Sequence, residues 1–542
     1  MTWGLLIAVF LVLLFIYGLL TLGEGLIKVA ATQNGVSSDS YSILPNNFKS
    51  FFSSSNTKAV QIPENAKVIS LKRGFDINLA GQADPKNEIK AVRVSRYCVR
   101  PTDILGMSPI PKVIPEVGAK IKAGEPLFFD KKKPEVIFAS PVSGEIAEIK
   151  RGEKRLITEI TIIADSGEFQ YHKHNEIPAL DTVSRADLVK FLLSSGAWPF
   201  IRQRPYDMIA DPDDMPKSIF VSTFDSAPLA PDLNIVVKGK EDAFRKGLEV
   251  LVKLSSSKVH VGLSARKSPA NVYTEAGKIE NVETHWIDGA HPAGNIGVQI
   301  HHIDPVTSGS QVWYLDVHGV ILIGNLFLKG QFDTEKIVAL CGAELKNPRY
   351  ISLHQCANLE EVLSDLAADF KEELEWVRDE NNVKIQKPVS QRTIRIISGD
   401  VLSGTQIERN DPLRFYDDQI TVVKEGRYYE AFGWLIPLTS HPTLSRTFIG
   451  GFHNDIEYVA DTNTNGEKRA FVMTGEYESV LPMDIYPQHV FRAIMCNDIE
   501  KMEALGLLEL SEEDIALCEY VCTSKQPLQK MLREGLETLR TS

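Results

Sequence analysis

Cysteine is scarce in this chain. Six occur in 542 residues, at positions 98, 341, 356, 496, 518 and 522, with no Cys-x-x-Cys pair among them. So sparse and irregular a set excludes a disulfide framework and indicates a reducing compartment. A cubane iron–sulfur cluster needs four thiolates, usually in a close-spaced run. Cys518 and Cys522 form only an i, i+4 pair, with Cys496 far upstream, so neither a cluster nor another metal centre is expected there. Also missing is a G-x-G-x-x-G turn after the first strand of the α/β segment, the feature that brings backbone N–H groups against a dinucleotide's phosphates. Positive charge is in deficit as well: 59 Lys and Arg against 71 Asp and Glu leave a net charge of −12. That argues against a nucleic-acid partner. The last absence is local, since residues 1–22 hold no charged side chain and Glu24 is the first.

A run of about twenty apolar residues is the length a helix needs to cross a bilayer. No Lys or Arg precedes it and it is longer than a secretory core, so residues 1–25 read as an uncleaved transmembrane helix rather than a signal peptide. Lys28, Lys49 and Lys58 all follow the span. The positive-inside rule then leaves the N-terminus outside and the body in the cytoplasm. Residues 26–66, rich in Ser and Asn, read as a linker. The rest is long enough for several domains, and 43% hydrophobic residues supply their cores.

Between residues 113 and 150, short alternating apolar runs are separated by Gly and Pro at hairpin distances, the mark of a small barrel or sandwich. The pattern V-G-x-x-I-K-x-G-x-P-L followed by S-P-V-S-G-E-I resembles the barrel-sandwich hybrids of lipoyl and biotinyl carrier domains, so residues 67–170 are expected to form such a domain. In those carriers a lysine at a hairpin tip bears a swinging cofactor. The matching turn here, Asp130-Lys131-Lys132-Lys133-Pro134, lacks a Met-Lys-Met or Asp-Lys-Ala tip. A solvated turn is the simpler reading. A carrier modified on Lys132 is the weaker one, and intact mass would test it.

Strand and helix patterns alternate over residues 171–310. A helix capped by Ser184 spans 184–195, strands cover 218–223 and 258–263, and an amphipathic helix spans 241–254. This βαβ order predicts a Rossmann-like parallel sheet. Its first turn, Thr223-Phe224-Asp225-Ser226-Ala227-Pro228, has no phosphate-binding glycines, so a nucleotide fold without its nucleotide is expected. Next comes GAHPAGNIGVQIHHIDPV at residues 289–306, which gathers His291, His301 and His302 near His285. Their spacing suits zinc poorly. With 298–303 read as a strand, His301 and His302 would also face opposite sides. A Gly-rich turn entering a strand is the plainer reading. Should the turn touch anything, a quinone head group or a partner subunit fits better than a metal, because a neutral imidazole donates one hydrogen bond. The candidate contacts are His291, Pro292, Gly294 and His302; no catalytic residue is named.

Residues 311–392 read as a small β module with a strand at 320–323, then a helix over 359–379. Residues 393–480 read as further β or barrel structure, and 481–542 as a helical domain.

Several blocks occur in order with the barrel segment: LKRGFDINLAGQ at 71–82, FDSAPLAPDL at 224–233, the histidine-bearing stretch at 289–306, RIISGDVLSG at 395–404 and LPMDIYPQHVFRAIMCNDIEKMEALGLLEL at 481–510. Together, from residue 68 to the C-terminus, they resemble the A-subunit family of sodium-translocating NADH:quinone reductases. The resemblance implies a multidomain α/β and β protein: a barrel-sandwich hybrid, a Rossmann-like sheet, a β-grasp module of the soluble-ligand-binding type and a C-terminal helical domain, the vestige of a ferredoxin-like one. It implies no cofactor on this chain, flavins and an iron–sulfur centre on other subunits, and quinone as substrate of the complex. The implied partners are the other subunits, above all the quinone-handling membrane subunit, at the bacterial inner (cytoplasmic) membrane. The function expected is therefore a cytoplasmic-side subunit supporting quinone reduction in a sodium-pumping enzyme. The alternative is a membrane-tethered, cofactor-free scaffold of an electron-transport complex. Residues 1–22 are no part of the usual pattern of this family.

Overall fold

One seven-stranded sheet organises the computed structural model, which describes residues 60–542 apart from 65, 109, 175, 366–373, 379–383, 389–393, 427–456 and 465, and only Phe15 before them. Its strands lie in the order Val68–Ser70, Val282–Asp288, Val259–Ser264, Ile219–Ser222, Val312–Leu315, Arg202–Arg204 and Met208–Ile209. The first five run parallel and the last two are added antiparallel. VHVGLS is buried along its whole length and IFVS along most of it, as a sheet covered on both faces requires. From Ile219–Ser222 the chain passes through the helix Glu241–Leu254 to Val259–Ser264 on one side. The helix Ile296–Ile303 later returns it to Val312–Leu315 on the other side. The winding therefore reverses between Ile219–Ser222 and Val312–Leu315, which makes their carboxyl ends the topological switch point.

Two stretches that alternation assigns to strands are helical. Residues 320–323 belong to the helix Val317–Lys329, capped by the Asp316 carboxylate, and 298–303 to Ile296–Ile303. Val317–Phe327 and Ile296–Ile300 are buried without a break, so neither run shows the polar face that reveals a helical period. Val317–Lys329 crosses Glu241–Leu254 backbone to backbone. A Cβ on Gly247 would stand 2.1 Å from the Val320 carbonyl, and one on Gly324 1.7 Å from that of Ala243. Of the helix expected over 359–379, Leu359–Asp365 is helical, whereas Leu374–Arg378 is a strand paired antiparallel with Lys384–Pro388.

The barrel segment forms two sheets. One holds Arg96–Val99, Ile157–Ala164, Gly144–Arg151 and Lys120–Ile121; the other holds Lys112–Val113, Pro126–Asp130 and Lys133–Ala139. Leu127, Phe128, Ile146 and Ile160 are fully buried within it, and Phe128 stacks on Phe138 at 4.6 Å. This is the barrel-sandwich arrangement the turns predict. The strand Lys133–Ala139 is packed rather than free. Phe138 meets the Phe415 ring at 6.4 Å, and Ala139 lies so close to Gly196 that a Cβ there would be 2.4 Å from its own. At the hairpin tip Lys131 and Lys132 are exposed, while Lys133 reaches Asp211 at 2.5 Å, a surface pair of small energetic weight.

A six-stranded sheet follows, ordered Lys90–Ala91, Arg349–His354, Glu335–Cys341, Gln419–Lys424, Ile394–Ser398 and Thr405–Ile407. Its central pair Glu335–Cys341 and Gln419–Lys424 is parallel, with Leu359–Asp365 between the two halves in sequence. That is a β-grasp topology. Residues 394–424, read from sequence as further barrel, supply three of its strands; apolar alternation identifies a strand without naming its neighbours. The helices Pro487–Met495, Ile499–Ala504, Glu512–Val521 and Leu528–Thr541 close the chain. Their core, with Phe491, Ile515 and Leu532, continues onto Val298 and Leu79. Cys518 and Cys522 are buried in it, and Cys522 Sγ lies 2.9 Å from the Tyr477 hydroxyl. The transmembrane helix expected over 1–25 lies outside the described residues, Phe15 excepted. Among the described residues no helix is long and apolar enough to cross a membrane.

Candidate functional site

The loops that leave Ser222 and Leu315 at the switch point open onto a cavity of about 270 Å³. Its far walls come from other parts of the chain: Asp400 and Asp418 from loops of the β-grasp sheet, Glu513 and Ala516 from a C-terminal helix. A doubly wound sheet places its ligand sites at such a point. What the cavity can hold depends on the side chains that line it.

His291 is buried and lines the cavity. Its Nδ1 lies 3.1 Å from Ser226 Oγ, which already accepts the Gly294 N–H at 2.8 Å. The hydroxyl has its own hydrogen left to give, and Nδ1 is the acceptor within reach. The tautomer this favours carries its proton on Nε2, and Nε2 is buried without a partner. Burial lowers the pKa of the ring against the opposing pull of Asp225 and Asp400, so the imidazole is neutral. Gly294 has no room for a side chain, since a Cβ would stand 2.5 Å from the Ser226 nitrogen. The turn fixes His291 through its own close packing.

The wall is acidic. Asp225, Asp316, Asp400, Asp417, Asp418 and Glu513 line the cavity. Arg202 lines it too, and its charge is engaged by Asp207 at 2.7 Å while its guanidinium lies over the Tyr314 and Tyr416 rings at 5.3 and 4.6 Å. The N-terminus of Val317–Lys329, where a helix would attract phosphate, is filled by the chain's own Asp316 carboxylate, which accepts the Gly319 N–H. An acidic wall whose arginine is already paired suits a nucleotide's phosphates poorly. It changes the acids as well: burial, with Asp225 and Asp316 adding like charge, pushes Asp418 up to about 8. Asp418 therefore keeps its proton near neutral pH and can donate. His318 stands with Nδ1 3.7 Å from Asp418, and neither ring nitrogen makes a hydrogen bond. Burial lowers it to about 4, so it too is neutral. The arrangement suits an uncharged ligand with acceptor oxygens.

The four residues singled out from the sequence separate in space. His291 and Gly294 line the cavity; Pro292 shares their turn, its carbonyl accepting the Asn295 N–H, without facing the cavity. His302 points elsewhere, donating from Nε2 to the Pro482 carbonyl at 2.6 Å. His301 joins the same C-terminal segment, with Glu509 at 2.8 Å from Nδ1 and the Asp484 N–H at 3.0 Å from Nε2. The expectation that these neighbours face opposite sides fails because the segment is helical and adjacent residues differ by about 100°. His285 sits within the sheet, beside His260. Arg202, His318, Asp400 and Asp418 went unseen in the sequence. Their one signal is charge set against apolar runs, as in FIRQRPYD and YDDQITVV.

Residues 69–165 match the family described as "NqrA N-terminal barrel-sandwich hybrid domain", and residues 183–332 that described as "NqrA second alpha/beta domain". The chain is 35% identical over 473 residues to the A subunit of the Na(+)-translocating NADH-quinone reductase of Neisseria meningitidis serogroup A, covering 87% of this chain and 99% of the relative. It is 34% identical over 479 residues to the A subunit of the same enzyme from Vibrio atlanticus, with the same coverage. A solved NAD+-reducing nickel–iron hydrogenase in the air-oxidised state covers 69% of this chain and 67% of its own at 13% identity and a TM-score of 0.33, a likeness too slight to bear on the fold. Identity of a third, sustained across nearly the full length of the curated relatives, joins the barrel, the sheet and the cavity in one lineage: the chain belongs to the A-subunit family of Na(+)-translocating NADH-quinone reductases and is a component of an NADH:quinone oxidoreductase complex.

Proposed function

We propose that this chain is the cytoplasmic-side A component of a sodium-pumping NADH:quinone reductase, and that its switch-point cavity receives a quinone head group beside the quinone-handling membrane subunit. The observation that carries this reading is the buried, unpartnered Nε2 of His291 among the residues lining the cavity. A quinone ring is uncharged, presents two carbonyl acceptors and suits walls that include Phe224 and Tyr416. Reduction to quinol takes two electrons, supplied in this reading by cofactors on other subunits, and two protons. Asp418, protonated at neutral pH, is a proton source at the wall. No cofactor is assigned to this chain. Residues 1–25 anchor it, with the N-terminus outside.

Titrating the purified chain with a short-chain ubiquinone analogue tests the cavity. His291→Ala should weaken binding about tenfold, the worth of one hydrogen bond of about 1.4 kcal/mol. Equal affinity in both proteins, or a preference for a flavin nucleotide, would remove the quinone reading and leave the membrane-tethered scaffold. Deleting residues 1–25 should release the singly expressed body from membranes; undiminished binding would overturn the anchor. Mild-detergent purification should recover the chain with other subunits, flavin and sodium-stimulated activity, whereas a solitary colourless polypeptide would favour the scaffold.

A further inference from the structure

At the amino end of the parallel strands, opposite the cavity, three side chains with metal-ligand chemistry converge. His260 and Glu283 are register partners on Val259–Ser264 and Val282–Asp288. His285, two residues beyond Glu283, projects from the same face. His260 Nδ1 is 3.0 Å from His285 Nε2. Glu283 Oε2 is 4.0 Å from the first nitrogen and 3.9 Å from the second. All three ligand atoms lie within 4.8 Å of one another.

The spacing decides what this triad resembles. Two nitrogens bound to one zinc ion at about 2.0–2.1 Å stand roughly 3.0–3.4 Å apart in four- or five-coordinate geometry. The imidazoles already have that separation, and the carboxylate has to close by about 0.5–1 Å to match it. Both rings are buried, and Phe220 packs against His260 at 4.8 Å between ring centres, so the pair is held in place. Glu283 is partly exposed and leaves a way in. Its Oε1 takes Lys258, while Oε2, the oxygen facing the histidines, has Lys67 no nearer than 3.9 Å.

We propose that His260, His285 and Glu283 form a site for one borderline divalent transition-metal ion, zinc by preference, with water completing the coordination. Two imidazoles and one carboxylate are a donor set that zinc accepts with an open fourth position. Bound there, the ion pins two neighbouring strands of the central sheet, far from the cavity. The competing account is a plain hydrogen bond between two neutral histidines.

The test uses the full chain in a Cys496→Ser background, because Cys496 is the one exposed thiol among the described residues. After chelator treatment and dialysis it is titrated with Zn2+ by calorimetry and with Co2+ by visible absorption. One equivalent should bind, Co2+ should show the bands of a low-coordinate nitrogen–oxygen site, and Zn2+ should raise the melting temperature. His285→Ala should abolish these signals. Glu283→Gln, a near-isosteric change at a partly exposed position that keeps the chain folded, should weaken binding at least tenfold. His301→Ala should leave the metal signals unchanged. Absence of saturable binding, or binding untouched by both His285→Ala and Glu283→Gln, would establish the simple histidine pair instead.

Discussion

Arg204 and Asp514 are 310 positions apart in the chain and 3.4 Å apart in the structure, with side chains 1% and 0% exposed. Glu513 adds a second contact to the same guanidinium at 2.8 Å. Through them the strand Arg202–Arg204, next to last in the α/β sheet, holds the first turn of the helix Glu512–Val521. The residues of that helix touching Arg204 sit next to the cavity wall, so the clamp sets the position of one side of the site.

Arg204→Ala should therefore be severe. It leaves Asp514 and Asp207 in a buried place without one of their cations, a situation that costs about 3–5 kcal/mol. The urea midpoint of the chain should fall accordingly. Arg204→Lys should restore only part of the loss, because one ammonium cannot span two carboxylates as a planar guanidinium does. An unchanged midpoint in the alanine variant would show that the clamp carries no net energy.

Asp418 predicts a pH effect. Burial keeps its proton on up to about 8 in the folded chain, whereas an unfolded aspartate releases it near pH ~4. Across that interval the native state binds the extra proton, so this group makes stability fall as pH rises, by up to about 1.4 kcal/mol per unit, and the fall levels off above the folded value. Asp207 acts in the opposite sense. Burial alone would raise it, but Arg202 and Arg204 hold it low, so its contribution is lost as pH drops through its folded value. Asp418→Asn should flatten the decline in urea midpoint between pH ~6 and ~8. A parental slope in the variant would count against a protonated Asp418.

Gly324→Ala should destabilise despite adding a better helix former. The gain in intrinsic propensity is about 1 kcal/mol. Against it stands a Cβ placed 1.7 Å from the Ala243 carbonyl, which forces two buried helices apart at a cost of about 3 kcal/mol. Thermal melts of the variant would settle which wins, and a raised melting temperature would mean that the crossing relaxes easily.

The parts of the fold legible in the sequence are those whose residues meet water on one side. Glu241–Leu254 alternates buried and exposed faces, so its period shows, and the barrel declares itself through its Gly and Pro turns. Val317–Lys329 and Ile296–Ile303 were hidden because burial erases the polar face that marks a helix. The same error of period misplaced His302. In the site, His291 and Gly294 could be picked out because their turn is unusual in itself. Arg202 and Asp418 could not, since nothing in their local sequence says that segments more than two hundred residues apart will meet.

The packing of Lys133–Ala139 has a consequence for how the chain takes part in electron transfer. A carrier domain works by travelling: its hairpin sweeps between stations with cargo at the tip. Here the corresponding strand is wedged against Gly196 and Phe415, so the barrel is fixed masonry in the wall of the α/β body. Among the described residues the barrel offers no free arm with which to fetch. A molecule that meets such a barrel has to come to it, because the hairpin cannot travel to meet the molecule.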